Sequence, residues 1–248
     1  MPEMKGGELI VEFLIKEKMP YVFGLCGHGT VGILDALHAA QDDITLVSPR
    51  HEQTAGHMAD AYYRVKHEPV ATLTSCGPGS ANLVMALTCA LSDSSAFLAI
   101  TANVPTQQFD RGPFQEINRH GAADFPSVVR PVVKRSLQPT RVEMLPLALD
   151  HAWTTMTQGR PGPVQLDVPF NVFQESADVE VPTAAGERIS RRSAASPEDV
   201  SGAVDMLLAA ECPVLFIGHG VTLSEASAEL TALAEKLSVP VISSPNGM

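Results

Sequence analysis

Positively charged residues are scarce in this sequence. Its 248 residues include 17 Lys and Arg against 28 Asp and Glu, which gives a formal net charge of −11. A nucleic-acid surface needs clustered cations that replace the counterions of the phosphates. The charge balance therefore argues against a nucleic-acid-binding protein.

Cysteine and long apolar runs are also scarce. The four cysteines, Cys26, Cys76, Cys89 and Cys212, have no C-x-x-C spacing, which favours reduced thiols over a disulfide framework or a zinc site. No window reaches the roughly 18 uninterrupted apolar residues of a membrane-spanning helix. The first twenty residues lack the layout of a signal peptide. We expect a cytoplasmic protein that does not enter a membrane.

Apolar residues are plentiful, and their periodicity predicts an α/β fold. They make up 45% of the chain, enough for one large domain or two modest ones. Helical periods alternate with short apolar runs, as in a parallel sheet with helices on both faces. Helices are predicted over 7–18, 31–41, 52–66, 80–92 and 143–157, and strands near 21–26, 44–48, 70–75, 96–102 and 163–168.

A change in composition divides the chain. Residues 176–196 lose large apolar side chains and gain Pro, Ala, Ser and Arg, which predicts a linker between a domain over 1–175 and a second region over 197–248. The second region is predicted to form helices over 197–210 and 224–237 and strands over 213–217 and 239–244. Two strands and two helices leave a parallel sheet uncovered. We expect an incomplete Rossmann-like domain, from a longer polypeptide or completed by a separate chain.

The first glycine motif has two interpretations. Gly27, Gly29 and Gly32 form G-x-G-x-x-G between a predicted strand and a predicted helix, the setting of a dinucleotide site. Such a site also needs an acidic residue at the tip of the next strand. Glu52 instead opens the following helix. A dinucleotide-binding module and a glycine-rich turn without a ligand both stay open.

The pair His51-Glu52 is similar to the start of the zinc motif H-E-x-x-H. The second histidine of that motif would be residue 55, which is Ala55. His57 lies six residues from His51, so the two cannot share one face of a helix. We therefore predict no metal ligands in this chain.

Five sequence blocks together resemble one enzyme family. They occur in the order and spacing of the pyrimidine-binding domain of thiamine-diphosphate enzymes of the acetolactate synthase type. The resemblance covers residues 6–175, and the strands after the linker resemble the beginning of the middle domain. The blocks are "PRHEQTAGHMADAYYRV", "TLTSCGPGSANLVMALTCALSDSSAFLAITANVPT", "PFQEINRHGAADF", "VVKRS" and "TTMTQGRPGPVQLDVPFNV".

The resemblance implies a role for Glu52. Thiamine diphosphate stabilises a carbanion after its thiazolium C2 loses a proton to its own 4′-imino group. A carboxyl group that holds N1′ of the pyrimidine favours that tautomer, and Glu52 is the matching residue. Small neighbours, Ala55, Gly56 and Ala59, leave room for a ring. Glu52 is thus predicted as the catalytic activator of a lyase or carboligase that acts on a 2-oxo acid.

Further cofactor and substrate contacts follow from the same resemblance. The turn Gly77-Pro78-Gly79 is expected against the aminopyrimidine, with Ser80 as a helix N-cap and Asn82 ordering the turn. Gly27 is assigned to the cofactor side as well. Phe114 and Gln115 lie on a loop after a strand and are expected on the substrate side, with Gln115 catalytic. Asp167 is expected to form local hydrogen bonds.

His28 marks a departure from the synthase pattern. Synthases usually have a Pro-Gly-Gly-like turn where this chain has Cys26-Gly27-His28-Gly29. A histidine there resembles relatives that hydrolyse cyclic 1,2-diketones, so His28 is a candidate substrate-side acid–base group. The alternatives are a histidine bonded to the backbone of its turn and, as a weaker candidate for the same work, His120.

The family also has a motif that this sequence lacks. It binds its Mg²⁺ and diphosphate through a Gly-Asp-Gly segment and a later Asn, hard oxygen ligands that suit magnesium. No Gly-Asp-Gly occurs in the 248 residues. The resemblance implies that later domains or a second chain carry that site, in a dimer or tetramer of identical or different subunits. FAD is possible in the middle domain but unsupported, and a non-catalytic subunit stays an alternative.

Overall fold

The chain divides into two compact units. They comprise residues 1–191 and 192–248. The structure is a computed structural model, and it describes residues 2–112, 114–117, 124–183 and 194–247.

A six-stranded parallel sheet forms the centre of the first unit. Its strand order is β3-β2-β4-β5-β7-β6, and every neighbouring pair is parallel. This arrangement confirms the predicted α/β class. The strands are β2 (Tyr21–Gly24), β3 (Thr45–Val47), β4 (Ala71–Thr74), β5 (Leu98–Asn103), β6 (Arg135–Leu137) and β7 (Val164–Pro169).

Helices flank this sheet. All residues of β4, β5 and β7 are buried, which requires a cover on both faces because side chains alternate along a strand. The helices of the first unit are α1 (Gly6–Lys16), α2 (Val31–Ala39), α3 (Glu52–Lys66), α4 (Pro78–Ala81), α5 (Val84–Asp93), α6 (Phe125–Val129), α7 (Leu145–Thr157) and α8 (Phe170–Gln174). Helix α1 packs against α2, α7 and α8, whereas α3 packs against α5.

Small residues set how closely α3 and α5 approach the sheet. Ala55 and Ala59 of α3 and Ala86 and Ala90 of α5 are fully buried in a cluster that includes Phe97. Close packing of this kind leaves little freedom for a helix to shift. The start of α3 is therefore fixed relative to the strand ends.

Several short elements were not predicted from the sequence. Strand β6 and the antiparallel pair of β1 (Glu3–Lys5) with β8 (Ser176–Asp178) each contain three residues and carry polar or charged side chains where an apolar run would mark a strand. Helices α6 and α8 contain five residues each. Strand β8 lies at the start of the predicted linker, most of whose remainder falls outside the described residues.

In residues 194–247, the described part of the second unit, two parallel strands and three helices are present. Strands β9 (Leu215–Ile217) and β10 (Val241–Ser243) pair in register, and the helices are α9 (Pro197–Ala209), α10 (His219–Leu223) and α11 (Ser227–Leu237). The side chain of Ser196 caps α9 by accepting the amide of Asp199. Large apolar side chains stay exposed in this unit, including Met206 at 77% and Phe216 at 70%.

Within the parts of the chain that the structure describes, no helix combines the length and the apolar character needed to cross a membrane.

Candidate active site

The predicted site residues lie in loops at one edge of the sheet. Parallel strands end at the same edge, and ligands of open α/β sheets bind there. Strands β2, β4 and β5 are neighbours or near neighbours, and the segments with His28, Gly77 and Gln115 follow them. Glu52 follows β3. The topology thus brings four distant parts of the sequence to one edge.

Glu52 is the first residue of α3. The Nδ1 atom of His51 caps this helix by accepting the amide of Gln53 at 3.2 Å. Glu52 is half-buried, and its Oε2 accepts a hydrogen bond from Nδ2 of Asn82 at 3.0 Å. A Cβ atom on Gly79 would lie 3.2 Å from Oε1 of Glu52. The carboxylate thus sits between an amide donor and a residue without a side chain.

The turn over residues 77–79 needs its first glycine. Gly77 has φ 62° and ψ −115°, a backbone conformation that residues with side chains rarely adopt. Pro78 then opens α4. Ser80 is not an N-cap, so that prediction was wrong. Its buried hydroxyl lies inside α4, where it donates to the carbonyl of Ser75 at 2.6 Å and contacts Oγ1 of Thr74 at 2.9 Å.

The loop with Phe114 and Gln115 packs on this turn. A Cβ atom on Gly77 would lie 2.4 Å from the carbonyl oxygen of Gln115. The thiol of Cys76 donates to Oε1 of Gln115 at 3.2 Å. Phe114 is 86% exposed. Gln115 is therefore held against the glycine turn, whereas the Phe114 ring faces solvent.

The first glycine motif is closed on itself. The amide of Gly27 donates to Oγ1 of Thr30 at 3.1 Å, and the Thr30 hydroxyl donates back to the carbonyl of Gly27 at 2.9 Å. The amide of Gly29 donates to Oγ of Ser75 at 3.2 Å. A pyrophosphate cradle needs free backbone amides. Because these two amides are used inside the protein, the geometry speaks against a dinucleotide at this turn.

The glycines of that motif instead allow close packing. A Cβ atom on Gly27 would lie 2.5 Å from Cβ of Ser75, and one on Gly29 would lie 2.8 Å from Cβ of Ala102. Gly32 likewise allows close packing, because a Cβ atom there would lie 2.9 Å from Cβ of Phe173. The turn is thus pressed against the ends of β4 and β5.

His28 stacks on Phe170. The ring centroids lie 5.3 Å apart with an angle of 3° between the planes. The imidazole is exposed and has no hydrogen-bond partner among the described residues. The alternative in which the His28 side chain bonds the backbone of its turn is therefore not supported by the described residues. His120, the weaker candidate, falls outside the described residues.

Asp167 joins three strands in a buried polar network. Its carboxylate accepts from Oγ1 of Thr101 at 2.8 Å and from Nδ2 of Asn103 and Nε2 of Gln138 at 2.7 Å each. These partners are distant in sequence, so the expectation of local bonds was wrong. Burial raises the pKa of Asp167 to about 6.

The predicted site residues belong to no metal-ligating group in the part of the chain that the structure describes. In the described ranges, no group of three or more His, Cys, Asp or Glu side chains could hold a metal ion. A cavity of about 420 Å³ lies between α1 and α2, and none of the predicted site residues lines it.

Four residues of this edge were missed in the sequence. Ser75 and Cys76 precede the glycine turn, Glu116 follows Gln115, and Phe170 follows β7. Their positions directly after predicted strands could have identified them, since residues that follow parallel strands lie at one edge of the sheet. The contacts between them depend on tertiary structure.

The two units match two domain models of one enzyme family. Residues 4–122 match "Thiamine pyrophosphate enzyme, N-terminal TPP binding domain", where thiamine pyrophosphate is another name for thiamine diphosphate. Residues 200–248 match "Thiamine pyrophosphate enzyme, central domain". Both models describe domains of the same enzymes, and the chain belongs to the thiamine-diphosphate enzymes.

Within that family the chain is of the acetolactate synthase type, which confirms the resemblance. A probable acetolactate synthase large subunit from Methanocaldococcus jannaschii is 34% identical over 242 residues, 96% of this chain and 40% of the relative. The large subunit from Haemophilus influenzae is 32% identical over 253 residues, 100% of this chain and 43% of the relative. The mitochondrial acetolactate synthase catalytic subunit from Saccharomyces cerevisiae is 31% identical over 255 residues, which are 99% of this chain and 36% of the relative. The chain thus spans about two fifths of the length of these relatives.

Proposed function

We propose that this chain supplies the pyrimidine-binding part of a thiamine-diphosphate-dependent lyase or carboligase that acts on a 2-oxo acid. The observation that carries the proposal is the setting of Glu52, with one carboxylate oxygen bonded to Asn82 and the other over Gly79. Membership of the acetolactate synthase type supports it. When bound, the cofactor supplies a thiazolium carbon that stabilises a carbanion.

The residues present fit an aminopyrimidine. A side chain at position 79 would fill the space beside Oε1 of Glu52, and glycine keeps that space open. Asn82 occupies Oε2, so a proton held on Oε1 can face N1′ of the ring. The role of Glu52 is to hold that proton, and the role of Asn82 is to fix the rotation of the carboxyl group.

The test of this role is the exchange of the C2 proton of the cofactor in the complete enzyme. Glu52→Gln keeps the shape of the side chain but cannot hold the proton in the same way, and we expect exchange to fall by at least about 100-fold, the usual size of an acid–base contribution. Glu198→Gln, at an exposed helix start in the second unit, is the matched control. Exchange at the wild-type rate in Glu52→Gln would contradict the proposal.

The diphosphate and its magnesium ion belong to the same proposal. The sequence has no Gly-Asp-Gly segment, and the chain spans about two fifths of its relatives. We propose that residues outside these 248, in later domains or a second chain, hold Mg²⁺ and the diphosphate in an oligomer of at least two subunits. The limits of the two domains and a cytoplasmic location remain predictions.

One observation favours a second function. His28 is exposed, stacked on Phe170 and without a hydrogen-bond partner among the described residues. An exposed imidazole without a protein partner can hydrogen-bond a water molecule or a substrate. The alternative is hydrolysis of a carbon–carbon bond in a cyclic 1,2-diketone. Product analysis of the complete enzyme with pyruvate and with a cyclic 1,2-diketone separates the two, because only a hydrolase opens the ring.

A further inference from the structure

Cys76 lies at the junction of the two predicted substrate-side segments. It follows β4, its side chain is 1% exposed, and its thiol donates to Oε1 of Gln115. A Cβ atom on Gly29, next to His28, would lie 3.3 Å from the sulfur and 3.3 Å from the amide nitrogen of Cys76. One buried thiol thus contacts both the turn that presents His28 and the loop that presents Gln115.

Gln115 adopts a backbone conformation that needs support. Its φ of 69° lies in the left-handed region, which costs a residue with a side chain of order 1 kcal/mol or more. The carbonyl of Gln115 rests on Gly77 on one side. On the other side, the carboxylate of Glu116 accepts the amides of Asp110 at 2.8 Å and Gly112 at 2.7 Å. The backbone is thereby fixed, and Cys76 fixes the side chain.

The thiol contact decides which end of the Gln115 amide is available. Oε1 accepts the thiol hydrogen, and among the described residues no acceptor bonds Nε2. Burial raises the pKa of the Cys76 thiol, so it stays protonated and able to donate at neutral pH. Gln115 therefore offers an N–H donor. A 2-oxo acid offers only acceptors, its carboxylate and carbonyl oxygens, to such a donor.

We propose that Cys76 is a positioning residue that orients the Gln115 amide so that Nε2 donates to an oxygen of the substrate. This inference rests on the proposed function, in which Gln115 lies on the substrate side. Cys76 itself does not contact the substrate. Its effect should therefore appear in the binding of the 2-oxo acid and not in the activation of the cofactor.

The experiment compares variants of the complete enzyme with pyruvate as the probe. Cys76→Ala removes the donor, and we expect KM for pyruvate to rise about three- to tenfold, the size of one lost hydrogen bond, with the rate of C2 proton exchange unchanged. Cys76→Ser restores a donor and should keep KM within about twofold of wild type. Cys89→Ala makes the same change in α5, away from the loop, and is the matched control.

A double variant tests whether Cys76 acts through Gln115. Gln115→Ala should raise KM at least as much as Cys76→Ala, and Cys76→Ala added to Gln115→Ala should cause no further increase. A further increase of several-fold would overturn the proposal. So would a wild-type KM in Cys76→Ala, or equal increases in Cys76→Ala and Cys76→Ser. If Cys76→Ala does not fold, Cys76→Val, which fills the space of the thiol without a donor, takes its place in the same comparisons.

The controls separate this inference from the function on which it rests. If Glu52→Gln abolishes proton exchange but Gln115→Ala leaves KM unchanged, the proposed function stands and the role of Cys76 is overturned. If Glu52→Gln exchanges at the wild-type rate, the proposed function itself has failed.

Discussion

The two oxygens of Glu52 have different surroundings. Oε2 accepts the Asn82 amide, whereas Oε1 faces Gly79 and accepts no hydrogen bond from the described residues. A half-buried carboxyl group with one oxygen bonded has a defined orientation. At the scale of a single residue, Asn82 is therefore the side chain that orients the carboxyl group of Glu52.

Loss of the Asn82 amide should slow activation of the cofactor. In Asn82→Ala the carboxyl group of Glu52 can rotate, and we expect C2 proton exchange in the complete enzyme to fall about five- to tenfold, the value of one hydrogen bond between uncharged groups. Asn82→Asp replaces the donor by an acceptor that can take the Glu52 proton into a carboxyl–carboxylate hydrogen bond, and exchange should be slower still. Exchange at the wild-type rate in both variants would show that Asn82 does not orient Glu52.

Asp167 is a second residue whose surroundings determine its behaviour. It is wholly buried, and three neutral side chains donate to it. Burial raises its pKa to about 6, above the ordinary range of an aspartate, although the three donors act in the opposite direction. Between pH 4 and 6 the folded chain keeps a proton that the unfolded chain has released. The protonated carboxyl group of Asp167 thus adds to the free energy of unfolding at low pH, and this contribution is lost as the pH rises towards about 6.

The substitution Asp167→Asn should cost more stability at low pH than at neutral pH. It removes the favourable protonated carboxyl group and turns an amide donor towards other donors, which costs about 1–3 kcal/mol. Urea unfolding of the chain at pH 4.5 and pH 7 measures both values, with the exposed Asp205→Asn as the control. An equal loss at the two pH values would contradict the raised pKa.

At the scale of elements, the contact of α3 with α5 positions the start of α3. A Cβ atom on Gly56 would lie 2.4 Å from Cβ of Ala86 and 2.7 Å from Cδ1 of Leu83. No such atom fits without separating the helices. Because Glu52 is the first residue of α3, the same shift would displace its carboxylate.

We expect Gly56→Ala to destabilise the first unit by about 1–3 kcal/mol, as overpacked core substitutions do, and to slow C2 proton exchange as well. Gly202→Ala is the matched control in α9, where nothing lies within 4 Å of the added atom. There the better helix propensity of alanine should stabilise the second unit by about 0.5–1 kcal/mol. Urea unfolding followed by circular dichroism measures both. Stabilisation by Gly56→Ala would show that the helices are free to separate.

Element type was predictable where periodicity extends over several residues. Helix α3 begins and ends at the predicted residues, 52 and 66, because its apolar face repeats over four turns. The predicted helix over 80–92 is in fact two helices, α4 and α5, separated by residues 82 and 83. Helix α4 begins earlier than predicted because Gly77 and Pro78 start it. Strand β6 was missed because Arg135-Ser136-Leu137 is not an apolar run, whereas the three-residue strands β3, β9 and β10 lie within predicted strand segments.

At the scale of the whole molecule, the site is assembled from segments that are far apart in sequence. The contacts of Asn82 with Glu52 and of Cys76 with Gln115 join residues 30 and 39 positions apart. One edge of the sheet collects them, and this edge contains no group of metal-ligating side chains among the described residues. Under the proposed function, residues outside these 248 hold the diphosphate and its metal ion.

We predict that this chain alone, given thiamine diphosphate and Mg²⁺, does not consume pyruvate. Addition of a separately produced polypeptide that carries the Gly-Asp-Gly segment should restore consumption, because the proposed site then has its diphosphate and metal ligands. The same mixture made with Glu52→Gln should stay inactive. Consumption of pyruvate by the isolated chain, measured by loss of substrate, would contradict the proposal that residues outside this chain hold the diphosphate and Mg²⁺.

The sequence by itself determined the α/β class, the position of Glu52 at a helix start and the family. It did so because periodicity and local motifs are properties of neighbouring residues. Only the tertiary structure decided that the amides of Gly27 and Gly29 are used inside the protein, that His28 stacks on Phe170, and that Cys76 bonds Gln115. These contacts join segments brought together by the order of strands in the sheet, and no local pattern encodes that order.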